Sequence, residues 1–159
     1  MSLTDIEAAN LGAHARFIET LEDALVAFTA LDGEAALRSW AELARRIGAH
    51  QVVEEELLGV VATHEGTAPP RGGATALVIA EHRQLDKLHA LATQRIEFVH
   101  AIPVESRRLA MVRGLDDLLR FRHLLEHHGL REERIVYPHV AVALPHELRA
   151  GFAERLART

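Results

Sequence analysis

Apolar residues recur along the chain at spacings of three, four and seven, the period of one helix face, and no alternating strand pattern competes with them. A first helix opens at "TDIE" (4–7), a capping box in which Thr4 can cap and Glu7 can reach back. It runs to about residue 30 with the stripe Leu11, Ile18, Leu21, Leu25 and Phe28, and Asp32-Gly33 marks the turn that follows. A second helix over about 34–64 carries Trp40, Leu43, Ile47, Leu57 and Val61. "EGTAPPRGG" (65–73) reads as a loop. A third helix, helix C, over about 74–100 carries Val78, His82, Leu85, His89, Ile96 and Val99. After a turn at Pro103, a fourth over about 105–137 carries Met111, Leu115, Leu118, Phe121, Leu125 and Ile135. Gly114 and Gly129 weaken that helix, each by ~1 kcal/mol relative to Ala. Pro138 should end or kink it, and Pro145 opens a short fifth helix over about 145–157.

Four long helices with short connections predict an all-α fold: an antiparallel up-down-up-down four-helix bundle with a short C-terminal fifth helix. The chain of 159 residues fits one domain, 1–159. Helix C has a second apolar stripe, Leu77, Leu88, Leu91 and Phe98, which either meets the fifth helix or forms a homodimer contact.

The stripes are broken by polar residues of one kind. His50 and Glu54 lie between Ile47 and Leu57, and His128 and Glu132 lie between Leu125 and Ile135. In each pair the two side chains are one turn apart on the apolar face. His14 interrupts the first stripe and His82 the third. Spacing alone does not mark a site in a chain with 11 His and 23 acidic residues, since His82–Asp86 has the same spacing. Position does: a carboxylate buried without a partner costs several kcal/mol. In an up-down bundle the start of the first helix, the end of the second, the start of the third and the end of the fourth share one end. At ~1.5 Å per residue the six side chains fall within about 9 Å in height.

Four imidazoles and two carboxylates suit a borderline divalent metal such as iron, manganese or zinc. Six ligands exceed one tetrahedral zinc. Shared between two ions, with Glu54 and Glu132 as bridges, they leave open positions for a small ligand. A metal-free hydrogen-bonded network of the same residues is the alternative. His89, two turns beyond His82, is an extra ligand or a core histidine, and Asp86 a water-bridged ligand or an exposed acid. Glu55, Glu81 and Glu133 flank the set as outer hydrogen-bond partners of ligand imidazoles or as surface acids. Tyr137 stands near the site or packs in the core. His123 and His127 share a polar face with Asp116, Arg120 and Arg134 and read as solvated. A ferritin-like centre would need Glu-x-x-His on two helices, and the chain has it once, at Glu97–His100.

Composition narrows the field. The chain is 48% hydrophobic but only 4% aromatic, as suits Leu- and Ala-rich helices, and it has no Cys. That excludes disulfides, thiolate zinc and Cys-ligated iron–sulfur clusters. The net charge of −5 argues against a general nucleic-acid binder. No apolar run approaches a membrane span, and "MSLTDIEAAN" has no apolar leader region, so the cytoplasm is the expected compartment.

His14, "HQVVEE" (50–55), "EHRQL" (81–85) and "HGLREERIVYP" (128–138) together resemble the haemerythrin-like, HHE cation-binding family. The resemblance covers most of the chain. It implies a four-helix bundle with a non-haem di-iron centre at His14, His50, Glu54, His82, His128 and Glu132. Oxygen-carrying members place a second His one turn after the helix-C ligand, where this chain has Asp86. The four-His, two-Glu set is more similar to the iron-centre domains of bacterial iron–sulfur-cluster repair proteins, which usually add a Cys-bearing domain. The expected cofactor is two iron ions, with zinc or manganese as substitutes. The expected function is binding or sensing a diatomic ligand such as oxygen or nitric oxide. The alternatives are a di-iron enzyme acting on peroxide or nitric oxide, with Tyr137 or Asp86 delivering protons, and a non-catalytic iron-binding or interaction module.

Overall fold

The computed structural model describes residues 4–64 and 68–159. Thr4 caps the first helix as its sequence predicts: its backbone N–H donates to Glu7 Oε2 at 2.7 Å, and the Glu7 N–H donates to Thr4 Oγ1 at 3.4 Å. Helix α1 spans Asp5–Thr29, α2 Gly33–Thr63, α3 Thr75–Ala101 and α4 Val104–Arg131. A π-helical turn, Glu132–Val136, joins α4 to a short α5, Tyr137–Ala143, and α6 spans His146–Ala157. There is no strand among the described residues. The first four helices pack in chain order, α1 on α2, α2 on α3 and α3 on α4, and α4 returns to α1. The fold is therefore the predicted all-α bundle with its short C-terminal helix. Residues 65–67 of the predicted loop lie outside the described residues.

The α1–α2 turn is held by specific chemistry. Leu31 takes a left-handed conformation (φ 62°), which costs an ordinary side chain about 1–2 kcal/mol. Asp32 then caps α2 by accepting from the Ala35 N–H at 3.0 Å. Gly33 is required by proximity, since a Cβ there would meet His100 Nδ1 at 2.2 Å.

The interior is two apolar clusters. One contains Phe17, Leu21, Trp40, Leu85, Phe121 and Leu125. The other, called the upper cluster, contains Ile6, Leu57, Val78, Val136, Tyr137 and Leu156. Along α1, α2, α3 and α4 the predicted ligand positions fall between the residues of these two clusters, so a polar layer crosses the bundle.

Three expectations are corrected. On α1 the buried face is Ile6, Asn10, Ala13, Phe17, Leu21, Ala24 and Phe28, whereas Leu11, Ile18 and Leu25 flank it. The alanines and asparagine interrupt the true face between Ile6, Phe17, Leu21 and Phe28, while Leu11, Ile18 and Leu25 beside it are equally apolar. The helical path does not stop at Pro138: the π turn precedes it, and Pro138 enters the first turn of α5, where a missing N–H is tolerated. The wider turn shifts the inward phase, so Val136 and Tyr137 are buried and Ile135 is only half-buried. Finally, α6 packs on α1 and α2, not on α3. Arg155 reaches Glu56 on α2, and Arg16 on α1 donates to the Ala157 carbonyl at 3.0 Å. Leu77, Leu91 and Phe98 on α3 remain exposed, while Leu88 packs against the core. No helix among the described residues is long and apolar enough to cross a membrane.

Candidate metal centre

The polar layer brings all six predicted residues together. His50, Glu54, His82, His128 and Glu132 have side chains at most 3% exposed, and His14 is 13% exposed. Glu54, His82, His128 and Glu132 each offer one ligand atom to a common space, and His14, His50 and Glu132 do the same beside it. Within each group the ligand atoms lie within 4.8 Å of one another. Glu132 belongs to both groups, and Glu54 to the first.

Distances show how the carboxylates are engaged. His82 Nε2 lies 3.0 Å from Glu54 Oε2. His128 Nε2 lies 2.5 Å from Glu132 Oε1, and His14 Nε2 lies 2.8 Å from Glu132 Oε2. The last two contacts are close without hydrogen-bond alignment. His14 Nε2, His50 Nε2, Glu54 Oε1 and Glu132 Oε1 are all buried with no hydrogen-bond partner among the described residues. Native interiors rarely leave such atoms unpaired. Here four of them converge, and their lone pairs are of the kind that a borderline cation takes.

The outer nitrogens are well supported. His82 Nδ1 lies 2.9 Å from Glu55 Oε1, and His128 Nδ1 lies 3.0 Å from Glu81 Oε2. Glu81 is held in turn by Arg131, whose Nη2 lies 2.9 Å from Oε1, and Arg131 Nη1 donates to the Gly72 carbonyl at 3.4 Å. His50 Nδ1 meets Thr159 Oγ1 at 3.3 Å. Carboxylate partners of this type, half-exposed at Glu55 and largely buried at Glu81, orient metal-binding imidazoles and fix their tautomer. Gly129 gives His14 its room: a Cβ there would come within 2.7 Å of His14 Nδ1.

The electrostatics match. Burial pushes the Glu132 carboxyl up, but the imidazoles of His14 and His128 outweigh it and hold it well below the usual range. Burial lowers His128, yet Glu132 and Glu81 raise it to about 10. His82 is likewise lowered by burial and raised overall by Glu54 and Glu55. Burial raises Glu81, and its bonds to His128 and Arg131 bring it below the ordinary value. Without metal, protons do the work of cations in this layer.

The remaining candidates sort by position. Glu55 touches a ligand imidazole. Glu133 does not: it points out to solvent, and Glu81 takes the place beside His128. Asp86 is exposed and away from the cluster. His89 falls in neither group. It donates from Nε2 to the Trp40 carbonyl at 3.0 Å, accepts from the Trp40 indole at its own carbonyl at 3.2 Å, and stacks on that ring at 4.8 Å. Two turns from His82 along α3 is too far to reach the same layer. Tyr137 is buried in the upper cluster, and burial with the charges of Glu54 and Glu132 pushes its hydroxyl well above the ordinary value.

Two participants had no signal in the pattern. Asn10 is 1% exposed and donates from Nδ2 to Glu132 Oε2 at 3.2 Å. Thr159 lies beyond the helical periodicity. His14 also borders a surface groove of about 430 Å³ between α1 and α4, walled by Leu11, Ala15, Ile18 and Leu125. It is the most exposed of the six side chains, so the layer approaches solvent on this side. No protein-family profile, curated protein or solved structure matches this chain.

Proposed function

We propose that the protein is a metal-binding protein of haemerythrin-like type, holding two non-haem iron ions and using them to bind or sense a small ligand such as oxygen or nitric oxide. The observation that carries the metal reading is the convergence of unpaired buried lone pairs in two groups sharing Glu132. One ion would be held by Glu54, His82, His128 and Glu132, the other by His14, His50 and Glu132. The set contains nitrogen and carboxylate donors only, which fits iron, manganese or zinc. When bound, iron supplies redox chemistry and affinity for diatomic ligands, which imidazole and carboxylate lack.

The side chains do the rest. Glu55 and Glu81 hold the His82 and His128 rings at fixed orientation through their Nδ1 atoms. Asn10 restrains one oxygen of Glu132. The apolar clusters flank the layer on both sides. The group containing His14 has three protein ligands against four in the other, which leaves it more room for an outside ligand. The cytoplasm is the proposed compartment.

The test is metal content after anaerobic reconstitution with ferrous iron, beside a His50→Ala/Glu54→Ala double variant. About two iron ions per chain in the wild type, matching the two groups and lost in the variant, support the reading. Optical spectra on adding nitric oxide, oxygen and peroxide then separate a binding protein from an enzyme. A folded wild type that takes up no metal ends the proposal.

A further inference from the structure

A ligand imidazole must keep one nitrogen free of its proton, and the bond made by the other nitrogen decides which one that is. For His82 and His128 the arrangement is direct. Each Nδ1 faces a carboxylate oxygen, of Glu55 or Glu81, as its acceptor, so each Nδ1 carries the proton and donates it. His50 has no such carboxylate. Its Nδ1 lies 3.3 Å from Thr159 Oγ1, in a buried contact.

A hydroxyl donates or accepts and by itself leaves the tautomer open. Thr159 has no such freedom. Its Oγ1 donates to the Leu156 carbonyl at 2.7 Å, and a hydroxyl has one proton. Toward His50 it can therefore only accept. The proton must sit on Nδ1, and Nε2 keeps its lone pair. That Nε2 is buried, has no hydrogen-bond partner among the described residues, and lies 3.9 Å from Glu132 Oε2. The Leu156 carbonyl is itself fixed, because the Leu156 side chain is fully buried in the upper cluster. Core packing thus orients a carbonyl, the carbonyl orients a hydroxyl, and the hydroxyl orients a ring.

We propose that Thr159 is a positioning residue that locks His50 in its Nδ1–H tautomer and thereby presents Nε2 to the metal centre. The lock stands on the hydrogen bonds, and only its consequence for affinity rests on the metal reading above. It makes the docking of α6 a condition for a competent site. It also holds His50 through a neutral relay, in contrast to the carboxylates behind His82 and His128.

The experiment uses full-length protein labelled at histidine with nitrogen-15, metal-free, in mildly alkaline buffer. Ring nitrogen shifts and long-range couplings report each tautomer, with His50 assigned from the signals missing in His50→Gln. Wild type and Thr159→Ser should show His50 as Nδ1–H. Thr159→Val, close in shape but without the acceptor, should move it toward Nε2–H and leave His82 and His128 unchanged. Zinc affinity should fall about 10–100-fold in the valine variant and return in the serine variant. A wild-type His50 in the Nε2–H form, or a valine variant with the tautomer unchanged, overturns the lock. A changed tautomer with unchanged affinity overturns its role in presenting the ligand atom. Should the valine variant fail to fold, Thr159→Ala, which also lacks the acceptor, makes the same comparison. A wild type with the Nδ1–H form that binds no metal removes the metal reading and leaves the lock standing.

Discussion

His128 Nε2 and Glu132 Oε1 meet at 2.5 Å across one turn, where α4 passes into the π turn. In metal-free protein this contact should couple stability to pH. Burial lowers the His128 pKa, but Glu132 and Glu81 raise it from 6.5 to about 10. A group raised on folding stabilises fully below its unfolded value and loses that contribution as pH climbs through its folded value. The urea midpoint of the metal-free protein should therefore decline between pH 6.5 and about 10. His128→Gln should flatten that decline. Glu132, held low, acts in the opposite sense: its contribution is present above the usual carboxylate value and is lost only in strong acid. An unchanged midpoint across the alkaline window would show that the pair is not held by a proton.

Because Glu132 serves both groups, its variants should differ from those of single-group residues. Glu132→Gln should abolish metal uptake at both positions. His14→Ala should leave the group of Glu54, His82, His128 and Glu132 loaded and roughly halve the metal content. Zinc titration against a chromogenic chelator reads the difference. Equal losses in the two variants would count against a shared carboxylate.

The six positions of the buried polar layer were legible because burying charge is costly, so histidines and glutamates inside apolar stripes stand out against a helical background. The helices themselves were legible from period and caps. What stayed hidden did so for identifiable reasons. Ala13 and Ala24 mark the buried face of α1 too faintly for Leu11, Ile18 and Leu25 to be recognised as flanking it. Asn10 looks like any helix-surface amide until Glu132 is seen beside it. The choice of Glu81 over Glu133 depends on which way α3 and α4 are rotated. Thr159 joins the layer through tertiary packing of α6, which has no periodic signature. The π turn moves Val136 inward in place of Ile135, and winding of this kind leaves no mark in an apolar pattern.

Glycine substitutions separate local helix energetics from site geometry. Gly59 on α2 has nothing within 4 Å of an added Cβ, so Gly59→Ala should stabilise the protein by ~1 kcal/mol. Gly129→Ala has the same intrinsic gain, but its Cβ would press on His14 Nδ1 at 2.7 Å, and a ring with its far nitrogen already at Glu132 cannot retreat freely. It should leave helix content unchanged by circular dichroism and weaken metal binding at the His14 group. Metal titration with tighter or equal binding would contradict this clash.

The contrast between Glu81 and Glu133 is equally testable. Glu81→Gln removes the charged acceptor behind His128 and should lower metal affinity about 10–100-fold. Glu133→Gln, in solvent, should change it little. Competition with a fluorescent chelator measures both, and an effect of Glu133→Gln matching that of Glu81→Gln would refute the assignment.

The π turn separates two requirements that a uniformly wound helix could not meet together. Before it, His128 and Glu132 need the spacing of one α-turn. After it, Tyr137 and Val140 must point into the upper cluster so that α6 can close down with Thr159. The extra residue in the turn supplies the phase difference, about 100° of rotation. Removing any one residue from 133–136 would leave both ligands in place yet rotate everything that follows out of register. Chain length across this short segment is therefore constrained more tightly than the identity of most residues within it.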